Sequence, residues 1–158
     1  MAAENMWLKM DGCKGEAADE KHKDEMIVLN WTWGMHHPVA FRGGGHSGGE
    51  TTVSELTISK YVDKASPNLM KYCLNAKSLP EVVLTARKRG EKPIDYIKIK
   101  MKSAVVVNVT ASANGDAPME TISIAFEKVE VEYTPQKSDG SADGAVSMKW
   151  NIKENKEG

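Results

Sequence analysis

Apolar and polar positions alternate along most of this chain, and one stretch alone falls into a helical period. Met6, Leu8 and Met10 sit out of phase with Trp7, Lys9 and Asp11, which predicts a first strand ending at Asp11-Gly12. Met26 to Gly34 predicts a second, with Ile27, Leu29, Trp31 and Trp33 on one face and Val28, Asn30 and Thr32 on the other. Thr51 to Tyr61 predicts a third, and Glu81 to Arg89 a fourth that ends in a turn at Gly90 to Pro93. In the long strand region Ile94 to Ala111, Ile97, Ile99 and Met101 alternate with Lys98, Lys100 and Lys102. That pattern describes a half-buried strand with a cationic outer face. Ala104 to Val107 is apolar without alternation, which predicts cover on both faces.

Asn114-Gly115 is the strongest hairpin signal in the chain. The return strand, Met119 to Tyr133, carries Ile122, Ile124 and Phe126 on one parity and Val129, Val131 and Tyr133 on the other. A change of parity requires a bulge or kink near Glu127-Lys128. Such a kink can turn a corner and close a barrel. Pro135 ends the strand, Asp139-Gly140 and Asp143-Gly144 turn, and Val146, Met148 and Trp150 alternate into a final strand. The tail, residues 153–158, is charged and predicted to fray.

The helical stretch is Ala65 to Lys77, centred on about residues 66–76. Ser66 is a candidate N-cap and Pro67 suits the first helical position. Leu69, Tyr72, Cys73 and Ala76 follow the helical repeat, and Met70 and Leu74 widen that face beyond what a one-sided surface helix needs. Deep packing against a sheet is one reading. A sheet on one flank and a partner subunit on the other is the second. On either reading Cys73 is expected to be buried and inert, and Cys13, in a turn-rich stretch, more accessible.

With about seven or eight strands and one helix, the fold class is all-β, a sandwich or barrel. The 158 residues suggest one domain, large enough to bury a core without staples. Met35 to Gly49 (MHHPVAFRGGGHSGG) is the longest irregular stretch, and its length asks for a function. Val39, Phe41 and Arg42 on this extended loop are the residues expected to meet something. Residues Cys13 to Glu25 are small and charged and predict a solvated loop.

A net charge of -1 argues against a nucleic-acid partner and against a polybasic membrane anchor. No apolar run approaches the ~20 residues of a membrane span. MAAENMWLKMDG does not show a basic stretch followed by an apolar one, so no cleavable signal is expected. Candidate chemistry is sparse. His36, His37 and His46 could suit zinc, but adjacent histidines in an extended stretch point to opposite sides. Gly43 to Gly49 lacks the ending of a phosphate loop. No spacing pairs Cys73 with His22 as nucleophile and base. The reading is therefore no enzyme, no metal and no cofactor.

Several short stretches together carry a resemblance. They are Leu8-Lys9 with Gly12 and Lys14-Gly15-Glu16, and Lys21-His22-Lys23 leading into Trp31-Thr32-Trp33-Gly34. They continue with the run Lys60-Tyr61-Val62-Asp63-Lys64-Ala65-Ser66-Pro67-Asn68-Leu69 and with Lys92-Pro93 before Tyr96. Tyr133-Thr134-Pro135-Gln136, Asp139-Gly140-Ser141 and Trp150-Asn151 complete the set. In this order and spacing the chain resembles the haemolysin-coregulated proteins (Hcp), tail-tube subunits of bacterial type VI secretion. The loop Met35 to Gly49 departs from the pattern.

The resemblance implies two packed β-sheets closing as a β-barrel with one helix at the side. It implies a homohexameric ring that stacks into a hollow tube, is propelled inside a contractile sheath, and holds and protects effector proteins in its lumen. Effectors, sheath and spike components would be the partners, and synthesis in the cytoplasm would be followed by export without a cleaved signal. In that setting Val39, Phe41 and Arg42 are expected to lie between stacked rings, and Leu69, Met70, Tyr72, Cys73 and Leu74 to serve the core or a subunit contact. The alternative is a small-ligand or metal-binding barrel that uses the tryptophans or histidines.

Overall fold

A computed structural model of the protein describes residues 4–42 and 45–158. The chain runs β1 (Met6–Met10), β2 (Met26–Ile27), β3 (Asn30–Thr32), β4 (Met35–His36), β5 (Val39–Arg42), β6 (Gly45–Gly48), β7 (Thr52–Val53) and β8 (Leu56–Tyr61). The single helix among the described residues, α1 (Ser66–Leu74), comes next. It leads into β9 (Leu79–Lys88), β10 (Ile94–Ser112), β11 (Met119–Tyr133), β12 (Val146–Asn151) and β13 (Lys156–Glu157). The Asn114-Gly115 turn joins β10 to β11 as the sequence predicts, with Gly115 at φ 91, where a side chain would be strained.

Nine strands form one antiparallel sheet. In it Leu8 lies opposite Leu84, Leu84 opposite Ile99, Ile99 opposite Val131 and Val131 opposite Met148. That apolar row crosses β1, β9, β10, β11 and β12 on the core face. The next row, Lys9, Val83, Lys100, Glu130 and Lys149, lies on the other face because strand side chains alternate. The core also takes Leu56 and Ile58 from β8, Ile122 and Ile124 from β11, and Leu69 from α1.

The sheet is not the expected barrel. Its path runs open from β13 to β2, with β8 and β3 branching off β11. The parity change at Glu127-Lys128 is present, because burial passes from Ile122, Ile124 and Phe126 to Val129. Instead of closing a cylinder, it divides one strand between two neighbours. Residues Met119–Ile124 of β11 pair with β8, and Lys128–Tyr133 pair with β12. The partner β10 adapts to the kink, since its ladder with β11 skips Ser103, which has φ 51, and shifts register between Val106 and Asn108.

Those two irregularities also explain the run Ala104 to Val107. The buried set in β10 passes from Ile99 and Met101 to Ala104 and Val106, so two parities adjoin in sequence. The run does not mean cover on both faces, for Val107 is 41% exposed.

The helix is shorter than the sequence suggests, and Ser66 does not cap it. Ala65 is the N-cap, without a side-chain bond, and Pro67 sits in the first turn. The Asp63 carboxylate takes the Ala65 amide at 2.9 Å, and the Ser66 hydroxyl donates to Glu120 Oε1 at 2.6 Å. Lys60 is wholly buried beside them. Its ammonium donates to Glu120 Oε1 at 2.6 Å, Asp63 Oδ1 at 2.8 Å and the Tyr61 carbonyl at 2.9 Å. This cluster ties β8, β11 and the start of α1 together. Lys60→Ala leaves the buried Glu120 carboxylate without its cation, and breaking such a pair costs about 3–5 kcal/mol. Denaturant unfolding of the variant should show a loss of that order. A loss below about 1 kcal/mol, the range of an exposed pair, would contradict the assigned role.

Candidate functional site

Exposed apolar residues group in three places, with Tyr61, Val62, Val107, Met119 and Tyr133 exposed elsewhere. The first is the segment 35–49, which is paired rather than irregular. Met35 and His36 of β4 pair with Val53 and Thr52 of β7. Beyond them Val39 to Arg42 of β5 pair with Gly48 to Gly45 of β6, so the segment is a β-hairpin arm. Phe41 is 77% exposed and Val39 44%. Gly43, Gly44 and the side chains of Arg42 and His46 lie outside the described residues. At the base of the arm an apolar cleft of about 280 Å³ is lined by Trp33, Met35, Val53, Met148 and Trp150. Trp33 keeps its ring there by donating its indole N–H to the Ser54 carbonyl at 2.9 Å.

The second place is α1. Leu69 is buried in the core, Tyr72 and Cys73 are half-buried, and Ala76 lies past the helix end. Met70 is 39% exposed and Leu74 88%. Asn68 and Tyr72 fix the helix to the turn after β1 through the carbonyls of Gly12 and Asp11. The third is the outer edge of β12, which pairs with β13 only at Trp150 and Asn151. The remainder, with Val146 and Met148 exposed, offers unpaired backbone groups beside apolar side chains. Exposed apolar side chains beside an unpaired strand edge make a candidate contact surface.

The chain matches the family described as "Type VI secretion system effector, Hcp" over residues 7–133. It is 39% identical to protein hcp1 of Pseudomonas aeruginosa, across 97% of this chain and 98% of that protein. The crystal structure of Hcp1 from Salmonella typhimurium superposes with a TM-score of 0.80 at 35% identity, covering 97% of both chains. A type VI secretion system effector from Yersinia pestis gives 0.75 at 33% identity, covering 94% of this chain and all of that one.

The chain belongs to the Hcp family.

As a member of the Hcp family it is a structural, secreted tail-tube protein and not an enzyme. The alternative of a ligand- or metal-binding barrel is set aside by that membership and by the open sheet. Of the histidines weighed as ligands, His36 is exposed on β4 and His37 meets the Thr51 hydroxyl at 2.9 Å. His22 is committed elsewhere.

The segment Cys13 to Glu25 is not the solvated loop its composition suggests. Cys13 joins the core cluster with Leu8 and Met10, Ala17 is buried, and His22 covers Trp7 on the outer face of the sheet. The segment folds back on itself at Gly15, where a Cβ would come within 2.6 Å of the Glu25 carbonyl oxygen. His22 stacks on Trp7 with ring centroids 4.2 Å apart, and the Arg87 guanidinium lies 4.6 Å from the Trp7 ring. Three carboxylates close the cluster. The His22 ring nitrogens face Glu25 at 2.7 Å and Asp95 at 3.0 Å, while Arg87 donates to Asp95 at 2.8 Å and to Asp19.

The hydrogen bond from Arg87 holds the Asp19 carboxyl below its ordinary value. Burial pushes Asp95 up, but the hydrogen bonds from Arg87 and His22 outweigh it, so Asp95 also lies low. Groups depressed on folding stabilise the fold above their unfolded pKa, and that contribution is lost as pH falls through the folded values. The unfolding midpoint should therefore hold from neutral pH to about pH 5 and fall once the pH drops below the ordinary value of 3.8. Arg87→Met should flatten that fall. Equal acid sensitivity of variant and parent would show that the cluster does not contribute.

The two cysteines exchange the environments expected for them. Cys13 is 1% exposed, and burial, assisted by Asp63 and opposed by Lys60, pushes its thiol up to about 11. Cys73 is half-buried on α1. A thiolate-selective reagent should therefore label Cys73 before Cys13 in the folded protein, because the thiolate is the nucleophile. The opposite order, read by mass spectrometry of the peptides, would contradict the burial of Cys13.

Proposed function

We propose that the chain assembles as a homohexameric ring, that rings stack into a hollow tube, and that the lumen carries and protects effector proteins. The tube is driven by a contractile sheath, contacts spike components, and leaves the cytoplasm by type VI secretion. The observation that carries this reading is the arm, a hairpin that presents Val39 and Phe41 outward. Lateral association would use α1 through Met70, Tyr72, Cys73 and Leu74, and the open edge of β12. Leu69, packed in the core, holds that helix in place. Stacking would use the arm, with Val39, Phe41 and Arg42 between rings.

Burying Phe41 between rings would contribute roughly 1.5–3 kcal/mol per copy before ordering costs. A ring repeats the contact around its axis, so a small loss per subunit multiplies. Phe41→Ser, and separately deletion of Val39 to Gly49, should leave hexamers intact while reducing tube formation and secretion. Leu74→Glu with Met70→Glu should lower the hexamer fraction itself. Loss of the hexamer in the arm variants would place the arm in the lateral contact, and normal tubes and secretion would remove its role.

A further inference from the structure

The cationic outer face forms a recess of about 310 Å³ where Lys9, Lys98 and Lys100 of the sheet meet Lys21 of the covering segment. Pairing fixes this arrangement. Lys9 and Lys100 both lie opposite Val83, and Lys98 lies opposite Thr85. Val83 and Thr85 line the recess between the lysine stems. Positive charges gathered around one recess need an anion or solvent to screen them.

The nearby carboxylates do not meet that need. Glu25 and Asp95 line the recess but are engaged by His22 and Arg87. Lys100 shares Glu132 at 3.3 Å, and among the described residues Lys9, Lys21 and Lys98 form no ion pair. The positive charge is also bounded. Glu130 lies opposite Lys100 and Glu132 opposite Lys98 on β11, so a continuous phosphate backbone crossing the sheet would meet carboxylates. A short run of acidic side chains would not.

We propose that this recess binds an acidic polypeptide segment of a partner protein, taking clustered Asp and Glu carboxylates on Lys9, Lys21 and Lys98. The choice of a protein rests on the carrier reading above; the charge and shape of the site do not. Peptide carboxylates would enter over Val83, with the lysine stems folding along its methyl groups. The attraction is solvent-exposed, so it is salt-sensitive and suits a partner that must later be released.

Fluorescence anisotropy of a labelled Glu-rich decapeptide on the full-length protein tests this, with its Gln counterpart as control and native mass recorded on the same samples. The Glu peptide should bind saturably at low salt and the Gln peptide should not. The double variant Lys9→Glu, Lys98→Glu should weaken binding roughly tenfold. Reversing Lys64 and Lys137 instead, which carries the same change in net charge, should alter it less than about twofold. Equal loss in both pairs, or no saturable binding, would overturn the proposal. Tighter binding of an oligonucleotide of matched charge at Lys9 and Lys98 would overturn the assignment to a polypeptide. Saturable binding by a protein that runs as a monomer would uphold the recess and remove the ring.

Discussion

One strand constrains the rest of this fold. β11 must bury even-numbered residues before Glu127 and odd-numbered ones after it, and it cannot do both along a regular strand. The change of face at Glu127-Lys128 is therefore also a change of neighbour, from β8 to β12. β10 has to adapt, and does so with Ser103 at φ 51 and a register shift after Val106. The carbonyl of Glu127, left out of the ladder at the kink, accepts the amide of Ile152 at 2.7 Å. Thus the end of β12 is fastened to the point where β11 turns. The kink thereby produces an open, branched sheet whose β12 edge stays available.

Two charge clusters, one buried and one half-buried, hold the elements that this sheet leaves over. Lys60, Asp63, Ser66 and Glu120 fix the start of α1 to β8 and β11. Trp7, His22, Arg87, Asp19 and Asp95 fix the covering segment to the opposite face. In each, long cationic side chains are surrounded by oxygen acceptors, so burial does not leave a bare charge. With α1 held at its start by charge and at its middle by Leu69, its outer face leaves Met70 and Leu74 exposed. The apolar arc of the helix is thus wider than its own core requires.

Period-two alternation made β1, β8, β10, β11 and β12 legible, and the Asn114-Gly115 pair made the β10–β11 hairpin legible, while β13 lies in the charged tail where alternation carries no signal. Parity also exposed the kink, because a face change is written directly into residues 122–133. What the kink does was not legible, since pairing depends on which edge is nearest in space, and closing a barrel or splitting a strand produces the same local pattern. Composition misled at Cys13 to Glu25, where small side chains permit close backbone approach and charges are half-buried in pairs. The same blindness inverted the two cysteines, for Cys13 joins the core cluster with Leu8 and Met10. Ser66 satisfies the usual preference for a cap, but Asp63 reaches the first free amide and Glu120 takes the hydroxyl. On the candidate surface, Phe41 and Leu74 were picked out because apolar residues stood where the local pattern had no use for them. The lysine recess was only half legible: the Lys98, Lys100 and Lys102 stripe is visible, while Lys9 and Lys21 join it through tertiary pairing.

The arm, the outer face of α1 and the free edge of β12 expose apolar side chains on one small chain, and the proposed self-association in a closed ring covers them. Native mass spectrometry of the purified full-length protein, with chelator and reductant present, tests that claim most directly. A species of six times the 17.3 kDa subunit mass is the result this account predicts. A stable monomer at micromolar concentration would contradict it.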